Sequence, residues 1–566
     1  MKAFKIPAFL AGCFVSLALI GLPHFQVHAA DVTSDITVGG VAVTDSNYTD
    51  VLGDGTVSYD PAANTLTLTN AVLSGENGIC CKDEDGSFTV NIPEGTESKI
   101  TASVMGITSS CTLYITGAGK LTISASWDPV NSSSDIFIED TSLDLTNELS
   151  SRFAVYSDKN ISVSNCDITA NVTDAINTKD GDVIITDCTF DITATADSGT
   201  GFYSENGNIT ITGSEGSINS ESFGILCAGN ITISDSDFSI VTPNIGIYAD
   251  GSTIEIKNTV LDVTSDSIGV YSVQNILISD RSEVTISAGE DFCVMADEGD
   301  FTVSSSTICF TGTDECGAAY AGGSISISDT KAELEGRYTL YSEGEVSLKA
   351  SNVSITATEG TGISGASFTM TGGRTEITTQ DSDVSLESGE TPVLLDDVRL
   401  ISGSYDGDYC LLYAAYDVTW ENEDGTVLET DENVPFGELP SYDGSTPEKK
   451  ETDDCTYTFE AWSPEISEVT GDITYVATFS ETAKASEEDE EDPEEEETPE
   501  EDSTEEDTAE EDSTEEETAG EDGTEENAAD TDASPATGDT TPVTAVMIIM
   551  LIALGLGAAA AKKSEI

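Results

Sequence analysis

Histidine and basic residues are scarce in this chain of 566 residues. Its two histidines, His24 and His28, both lie close to the N-terminus, and 20 Lys and Arg stand against 107 Asp and Glu, giving a formal net charge of −87. Binding to nucleic acid is not expected, because neutralising phosphates needs a concentrated basic surface. If the segment 1–30 is removed, no histidine remains for Ser-His-Asp or Cys-His catalysis or for a histidine-ligated metal site.

The N-terminus has the pattern of a secretory signal peptide. Two lysines precede an apolar run around Phe9–Leu22, and the small residues of "VHAA" place the expected cleavage near Ala29 or Ala30. An uncleaved membrane anchor is the alternative, but the apolar run is short and is bounded by Pro23. We therefore expect residues 1–30 to be a signal peptide and the protein to be secreted.

Cysteines spaced as zinc ligands are also missing. One of the 12 cysteines lies in the signal segment, and Cys80 and Cys81 are adjacent rather than arranged as C-x-x-C. The number that remains is odd, so at least one free thiol or one intermolecular pair is expected. No cofactor is predicted, and calcium is the one ion that the sequence leaves open.

The sequence is rich in copies of an internal repeat. Its period is roughly 23 residues, and it is clearest between positions 150 and 380. Each unit opens with an apolar-polar-apolar triplet, usually followed seven positions later by a second triplet and then by a third segment such as "IGIYA". The triplets start at Ile161, Val183, Ile209, Ile231, Ile254, Ile276, Phe301, Ile325, Val346 and Phe368, with weaker copies at Phe88, Leu113 and Ile136. Alternation of this kind predicts three short, half-buried strands in each unit.

Three short strands cannot close a core alone, so successive units must stack and pair in parallel. The repeat therefore predicts a mainly β protein with a right-handed, single-stranded parallel β-helix over residues 31–405. About thirteen coils at roughly 4.8 Å each would make a rod about 60 Å long. Leucine-rich repeats have a similar period, but they need Leu at fixed positions and a helical segment, and the sequence has neither.

Two polar columns follow the first triplet. Asn or Asp stands four positions after its start, at Asn165, Asp187, Asp235, Asn258, Asp280 and Asp329. Stacked carboxylates could bind calcium or form a catalytic acid pair. Asn and Asp are also the residues that tolerate left-handed turns, and we favour a turn column because the G-G-x-G-x-D calcium repeat is absent.

Small residues occupy the next position, at Cys166, Cys188, Ser214, Ser236 and Thr259. This offset points inward, so the two cysteines would lie on adjacent coils with Cα atoms about 5 Å apart, close enough for a disulfide. Buried free thiols are the alternative. Three further cysteines are expected to be small core residues, namely Cys227, Cys293 and Cys316.

Residues 412–482 leave the repeat and contain alternating strands, "DG" turns and two tryptophans spaced to fill a small core. Its distinctive residues are Trp420, Asp424-Gly425-Thr426, Gly437, Pro440, Gly444, Pro447, Trp462, Pro464, Tyr475 and Phe479, with Ala461 before the second tryptophan. The segment resembles the internalin-type B repeat, a β-grasp-like module of Gram-positive surface proteins, which usually has Gly where Ala461 stands. A sugar-stacking platform is the alternative role for the tryptophans.

Residues 483–533 are strongly acidic and consist largely of units such as "EEDSTEEDTA", without large apolar side chains. Such a segment cannot bury enough surface to offset the entropy of ordering, and like charges hold it extended. We expect a disordered acidic stalk.

The tail at residues 534–566 has three parts. Ser534-Pro535-Ala536-Thr537-Gly538 precedes an uncharged stretch at 543–561 that is long enough to span a bilayer, and Lys562-Lys563 follows it. This arrangement resembles the Gram-positive cell-wall sorting signal, whose usual motif is Leu-Pro-x-Thr-Gly.

The resemblance implies that a sortase transpeptidase cuts between Thr537 and Gly538 and joins Thr537 to peptidoglycan. The transmembrane helix would then hold the chain in the membrane only until cleavage. The protein would be secreted and covalently anchored to the cell wall. Ser534 replaces the family's Leu, which calls for a specialised sortase class. A plain membrane anchor through the same helix is the alternative.

These features together favour a surface display or adhesion protein that binds polysaccharide, host glycoprotein or extracellular matrix through the face of its β-helix. Residues 36–71 also resemble the start of β-helical carbohydrate-binding-type domains in clostridial surface proteins. The alternative is a β-helical polysaccharide lyase or glycoside hydrolase acting on acidic polysaccharide. The five arginines are scattered along the sequence, so we name no catalytic residue and do not expect an enzyme.

Overall fold

The computed structural model of the chain describes residues 35–149, 152–380 and 384–484. These residues form strands and turns without an α-helix, so none of the described ranges holds a helix long and apolar enough to cross a membrane. They fold into a parallel β-solenoid of about 14 turns, followed by a sheet of four strands. The predicted mainly β fold and parallel coil are therefore confirmed.

Three predicted segments fall outside the described residues. They are the signal peptide at residues 1–30, the acidic stalk at 483–533 apart from its first two residues, and the sorting signal at 534–566 with its helix at 543–561. All three stay predictions from the sequence.

Apart from the antiparallel pair Val57–Asp60 and Thr65–Leu68 at the N-terminal end of the first face, the coils of the solenoid contribute one strand to each of three faces, which we call the first, second and third face in chain order. The first face is a sheet of 16 strands, and the second and third faces share a sheet of 30 strands. Strands of neighbouring coils pair in parallel, as Ile209 does with Ile231 on the first face and Tyr248 with Tyr271 on the third. The predicted three strands per coil are present.

The strands of the first face are Val57–Asp60, Thr65–Leu68, Ser87–Asn91, Thr112–Thr116, Ile136–Glu139, Ile161–Ser164, Val183–Thr186, Ile209–Thr212, Ile231–Ser234, Ile254–Lys257, Ile276–Ser279, Phe301–Ser304, Ile325–Ser328, Glu345–Lys349, Ser367–Thr371 and Val393–Leu395. Two long strands bend from the second face into the third, namely Val72–Cys81 and Glu97–Ser109.

The other strands of the second face are Lys120–Ala125, Ser142–Asn147, Asp167–Val172, Thr189–Ala194, Glu215–Ser220, Asp237–Thr242, Val260–Ser265, Glu283–Ala288, Thr307–Gly312, Lys331–Gly336, Asn352–Ala357 and Arg374–Thr379. Those of the third face are Val130–Ser132, Phe153–Ser157, Asp174–Thr178, Thr200–Ser204, Phe223–Cys227, Ile245–Ala249, Val270–Ser272, Asp291–Ala296, Cys316–Ala321, Leu340–Ser342, Ile363–Gly365 and Leu386–Ser388.

Alternation along each strand decides which side chains fill the core. On the first face the two apolar residues of a triplet point inward, as Ile209 and Ile211 do with no exposed surface, and the polar residue between them faces outward. Every triplet start predicted from the sequence lies in a first-face strand. The buried side chains of successive coils join into one apolar cluster that runs from Ile36 to Ala414.

The predicted turn column is confirmed by its backbone. The dihedral angle φ lies between 47° and 57° at all six positions, namely Asn165, Asp187, Asp235, Asn258, Asp280 and Asp329. Asn and Asp adopt this left-handed conformation more readily than other residues with a side chain. The column therefore turns the chain from the first face to the second.

A second ladder of Asn and Asp side chains stands just before the first face. The backbone N–H of Asn208 donates to Asp182 Oδ1 at 2.8 Å, and the N–H groups of Asn230 and Thr253 donate to Asn208 and Asn230 at 2.9 and 3.1 Å. Each side chain thus satisfies a turn amide of the next coil, where no strand partner is available.

Antiparallel strands cover both ends of the solenoid. At the N-terminal end Ile36–Val38 pairs antiparallel with Val41–Ala42 and with Val72–Cys81. At the other end Tyr409–Tyr413 pairs antiparallel with Arg374–Thr379 and with Arg399–Gly403. These reversals end the parallel stacking, and covered ends limit pairing with other chains.

The four-stranded sheet has the strand order Val427–Pro435, Ala415–Glu421, Ile473–Ala483 and Cys455–Ser463. Its two central strands are parallel and the outer pairs are antiparallel. The sheet encloses its own small core of Val418, Trp420, Val469 and Tyr475.

Candidate ligand-binding surfaces

A row of tyrosines lies on the outer side of the third face. We define the tyrosine row by its members Tyr156, Tyr203, Tyr248, Tyr271, Tyr320 and Tyr341, which share one register position with Asn177, Leu226 and Met295. Outward alternation places the tyrosines on the surface, where they are partly or largely exposed, whereas Asn177 at the same register is buried. The row covers nine successive coils.

Neighbouring rings in the row pack against one another. Tyr248 and Tyr271 stack with ring centroids 4.9 Å apart and an interplanar angle of 6°, and Tyr320 and Tyr341 stack at 5.7 Å and 13°. Since stacking covers the ring faces that two neighbours share, each pair exposes its outer edges and its hydroxyl groups. The rings of these two pairs are therefore held in place before any ligand binds.

Carboxylates lie beside several tyrosines of the row, toward the ends of their strands. The hydroxyl of Tyr156 donates to Asp158 Oδ1 at 2.9 Å, and that of Tyr271 donates to Asp297 Oδ2 at 3.3 Å. Burial, followed by the hydrogen bond to Asp158, raises the pKa of Tyr156 to about 12. Burial and the nearby Asp250 raise the pKa of Tyr248 to about 12 as well, so both phenols remain hydrogen-bond donors at neutral pH.

A groove follows the turn column along the corner between the first and second faces. This corner groove consists of two hollows of about 770 and 460 Å³ that share Asp187 and Thr189. Its walls carry more carboxylates than cations, the two cations being Lys120 and Arg281. The groove is open, polar and acidic.

Several of its carboxylates are already engaged along the column. Asn165 Nδ2 donates to Asp140 Oδ1 at 2.5 Å, and Asn258 Nδ2 donates to Asp235 Oδ1 at 2.6 Å. Such contacts are what a structural turn column requires. Among the described residues, no group of three or more His, Cys, Asp and Glu side chains is arranged to hold a metal ion.

The small residues next to the turn column are buried, as predicted. Cys166 and Cys188 are 4% and 2% exposed, and both are free thiols in this structure. Cys227, Cys293 and Cys316 have no exposed surface, which confirms them as core residues. The Cys227 thiol donates to the carbonyl of Gly229 at 3.1 Å.

Two carboxylates are buried at the corner between the second and third faces. Asp128 accepts the backbone N–H of Phe153 at 3.1 Å, and Asp174 accepts that of Thr200 at 3.1 Å. Burial raises the pKa of both carboxyl groups, and that of Asp174 reaches about 6. Each carboxylate satisfies an amide of the next coil, which is a structural role.

The arginines occupy separate places in the structure. The guanidinium of Arg152 lies 4.0 Å from the ring centroid of Trp127. Arg374 pairs with Glu376 at 2.6 Å, and Arg337 lies 3.3 Å from a carboxylate at the far end of the solenoid. Only Arg281 lines the corner groove, so no cluster of arginines forms there.

The tryptophans of the four-stranded sheet belong to its core. Trp420 has no exposed surface, and its Nε1 donates to Asp431 Oδ2 at 2.9 Å. Trp462 packs edge-to-face on Trp420 with centroids 4.8 Å apart. The interpretation as core is confirmed for Trp420, which excludes its ring from a sugar-stacking platform.

Sequence reasoning did not identify the tyrosine row, although its signal is present. Tyr occupies the same place in the third segments "TGFYS", "IGIYA", "IGVYS" and "YTLYS". The five residues predicted for sortase recognition, Ser534, Pro535, Ala536, Thr537 and Gly538, lie outside the described part of the chain.

Comparisons with protein families, with curated proteins and with solved structures gave no significant match to this chain.

Proposed function

We propose that this protein is a surface display or adhesion protein, anchored to the cell wall, whose solenoid binds polysaccharide or the glycans of a host glycoprotein. The observation that carries the ligand part of the proposal is the tyrosine row. It offers phenol groups and ring edges on six of nine successive coils, with carboxylates beside several of them.

A glycan chain fits such a surface because it is itself a repeat of hydroxyl groups and apolar C–H surfaces. At about 4.8 Å per coil the row extends for roughly 38 Å, so one chain can meet many equivalent contacts. Tyr supplies an apolar body and a polar tip at little cost in conformational entropy. Stacked neighbours restrain the rings further, which lowers the cost of ordering them on binding.

A panel of immobilised neutral, amino-bearing and acidic polysaccharides, with and without calcium, tests this function. The full secreted chain should bind at least one class and should release no sugar fragments from it. Absence of binding to every class in both conditions would contradict the glycan-binding proposal.

The wall anchor in this proposal is supported by the tail, from Ser534-Pro535-Ala536-Thr537-Gly538 to the final lysines. A sortase would join Thr537 to peptidoglycan, and the acidic stalk would hold the solenoid away from the wall. The proposal also identifies the four-stranded sheet with an internalin-type B repeat of β-grasp type. It gives the solenoid a right-handed coil.

Digestion of cell walls with a muramidase tests the anchor. The released protein should end at Thr537 and carry a peptidoglycan fragment there. Recovery of protein that still contains Lys562 and Lys563 would support a plain membrane anchor instead.

The corner groove favours a second candidate function, a lyase or hydrolase acting on acidic polysaccharide. Arg281 lies in this groove with Asp235 and Asp237, a set that could bind a carboxylated sugar and supply an acid or base. Unsaturated or reducing products from pectin or glycosaminoglycan would identify this activity, and Asp235→Asn should then abolish it.

A further inference from the structure

Cys166 and Cys188 occupy equivalent positions on two adjacent coils. The backbone N–H of Thr189 donates to the carbonyl of Cys166 at 2.9 Å, which fixes the two coils against each other at this point. Neighbouring coils are about 5 Å apart, and a disulfide needs Cα atoms about 4.4–6.8 Å apart. The backbone spacing therefore suits a bond between the two sulfur atoms without a rearrangement of the coil.

On the later coils the same column is filled by hydroxyl groups. These donate to nearby backbone carbonyls, as Ser214 does to Thr212 at 2.9 Å and Ser236 does to Ser234 at 2.7 Å. The thiol of Cys188 makes the equivalent contact with Thr186 at 3.2 Å. Thiols are weaker donors and acceptors than hydroxyls, so the hydrogen bonds give no reason for two successive thiols here. A stacked pair of thiols can, however, be joined covalently.

Both cysteines line the corner groove. Cys166 lines one of its hollows and Cys188 lines the other, although each side chain is almost fully buried. The hydrogen bond from the Cys166 thiol lowers the pKa of Cys188, which favours Cys188 as the thiolate that reacts first.

We propose that Cys166 and Cys188 form a dithiol–disulfide site in the floor of the corner groove, and that oxidation joins the two coils there. The oxidant is an external disulfide, either a small molecule or a protein. The Cys188 thiolate attacks one sulfur of it and expels the other as a thiolate, which leaves a mixed disulfide on Cys188. The Cys166 thiol then loses its proton and attacks the Cys188 sulfur, expelling the second thiolate. Two protein thiols become one disulfide, and the external disulfide becomes two thiols.

Peptide mapping tests this site directly in the full chain. After incubation with oxidised glutathione, the remaining thiols are alkylated under denaturing conditions and the protein is cut with trypsin. Cleavage after lysine places Cys166 in peptide 160–179 and Cys188 in peptide 180–257, together with Cys227. We expect these two peptides to be linked through Cys166 and Cys188, and to separate after treatment with dithiothreitol.

Cys227 provides an internal control because it is buried in another column, on the coil that follows that of Cys188. After oxidation, Cys227 should still react with the alkylating reagent, whereas Cys166 and Cys188 should not. A linkage through Cys227, or a pair that stays fully alkylatable after oxidation, would overturn the proposal. These outcomes need only the wild-type chain, so they do not depend on the folding of a variant.

Single serine variants test the order of attack. In Cys166→Ser the glutathione adduct should accumulate on Cys188, because no second thiol is present to displace it. In Cys188→Ser the adduct on Cys166 should be several-fold lower. Equal adduct levels in the two variants would overturn the assigned roles.

Discussion

Tyr248 and Tyr271 stack with ring centroids 4.9 Å apart and planes within 6° of parallel, although they belong to different coils. Parallel register places them directly beside each other, and the same register continues through Leu226 on one side and Met295 on the other. Because the coil spacing and the stacking distance agree, the rings need no ligand to become ordered. The surface is thus a product of the backbone repeat.

Replacement of Tyr248 by alanine should weaken glycan binding. It removes one phenol and leaves Tyr271 without its stacked neighbour, which loosens the middle of the row. We expect roughly a tenfold increase in Kd, corresponding to about 1.4 kcal/mol, measured by titration with the polysaccharide that the panel identifies.

Tyr114→Ala is the matched control for this experiment. Its ring stacks on Phe137 at 4.9 Å and 14°, but on the outer side of the first face. The control should leave Kd unchanged. An equal loss of affinity in both variants would remove the tyrosine row as the binding surface.

Asn208→Ala should destabilise the solenoid. It removes the bond from Asn208 Nδ2 to Asp182 at 3.0 Å and leaves the N–H of Asn230 without its acceptor. Two hydrogen bonds of about 0.5–1.5 kcal/mol each predict a loss of about 1–3 kcal/mol in the free energy of unfolding. Urea denaturation measures this loss, and Asn219→Ala, at an exposed second-face position, should change it by less than about 0.5 kcal/mol. Equal effects would show that the ladder adds nothing to stability.

Phe202→Ala should cost more than any change on the surface. The side chain has no exposed area and packs edge-to-face on Phe190 at a centroid distance of 5.4 Å. The cavity left behind predicts a loss of about 3–5 kcal/mol in the free energy of unfolding. Tyr203→Ala, at the next position and pointing outward, is the control and should lose much less by the same urea measurement. A small loss for Phe202→Ala would mean that the coil collapses around the cavity.

The sequence predicts those parts of the structure that depend on local spacing. A strand with period-2 alternation, such as Ile209–Thr212, places Ile209 and Ile211 on one side of the strand, and these are the side chains that are buried. The left-handed turn at Asp235 is equally local, because it follows from the residue type and its distance from the triplet.

Relations between coils were harder to predict. Coil length varies along the repeat, so the alignment of Tyr203 with Leu226 and then Tyr248 becomes clear only from the strand register. The antiparallel return of Tyr409–Tyr413 onto Arg374–Thr379 is another long-range pairing without a local signal. The burial of Asp174 also depends on how two adjacent coils meet.

Asp174 gives the solenoid a defined dependence on pH. Burial raises the pKa of its carboxyl group from the ordinary 3.8 to about 6 in the folded chain. Between these two values the folded chain keeps a proton that the unfolded chain has lost. The free energy of unfolding therefore falls as the pH rises through this window, and the loss is complete above about pH 6. At about 1.4 kcal/mol per pKa unit, the loss amounts to roughly 3 kcal/mol.

Asp174→Asn removes this titration and keeps an oxygen that can accept the N–H of Thr200. Because many other carboxylates titrate in the same range, the quantity to follow is the difference in unfolding free energy between the variant and the wild type. It should grow in favour of the variant as the pH rises from 3.8 to about 6 and stay constant above that. A flat difference for Asp174→Asn would mean that water reaches Asp174 in the folded chain and that its carboxylate carries no burial penalty.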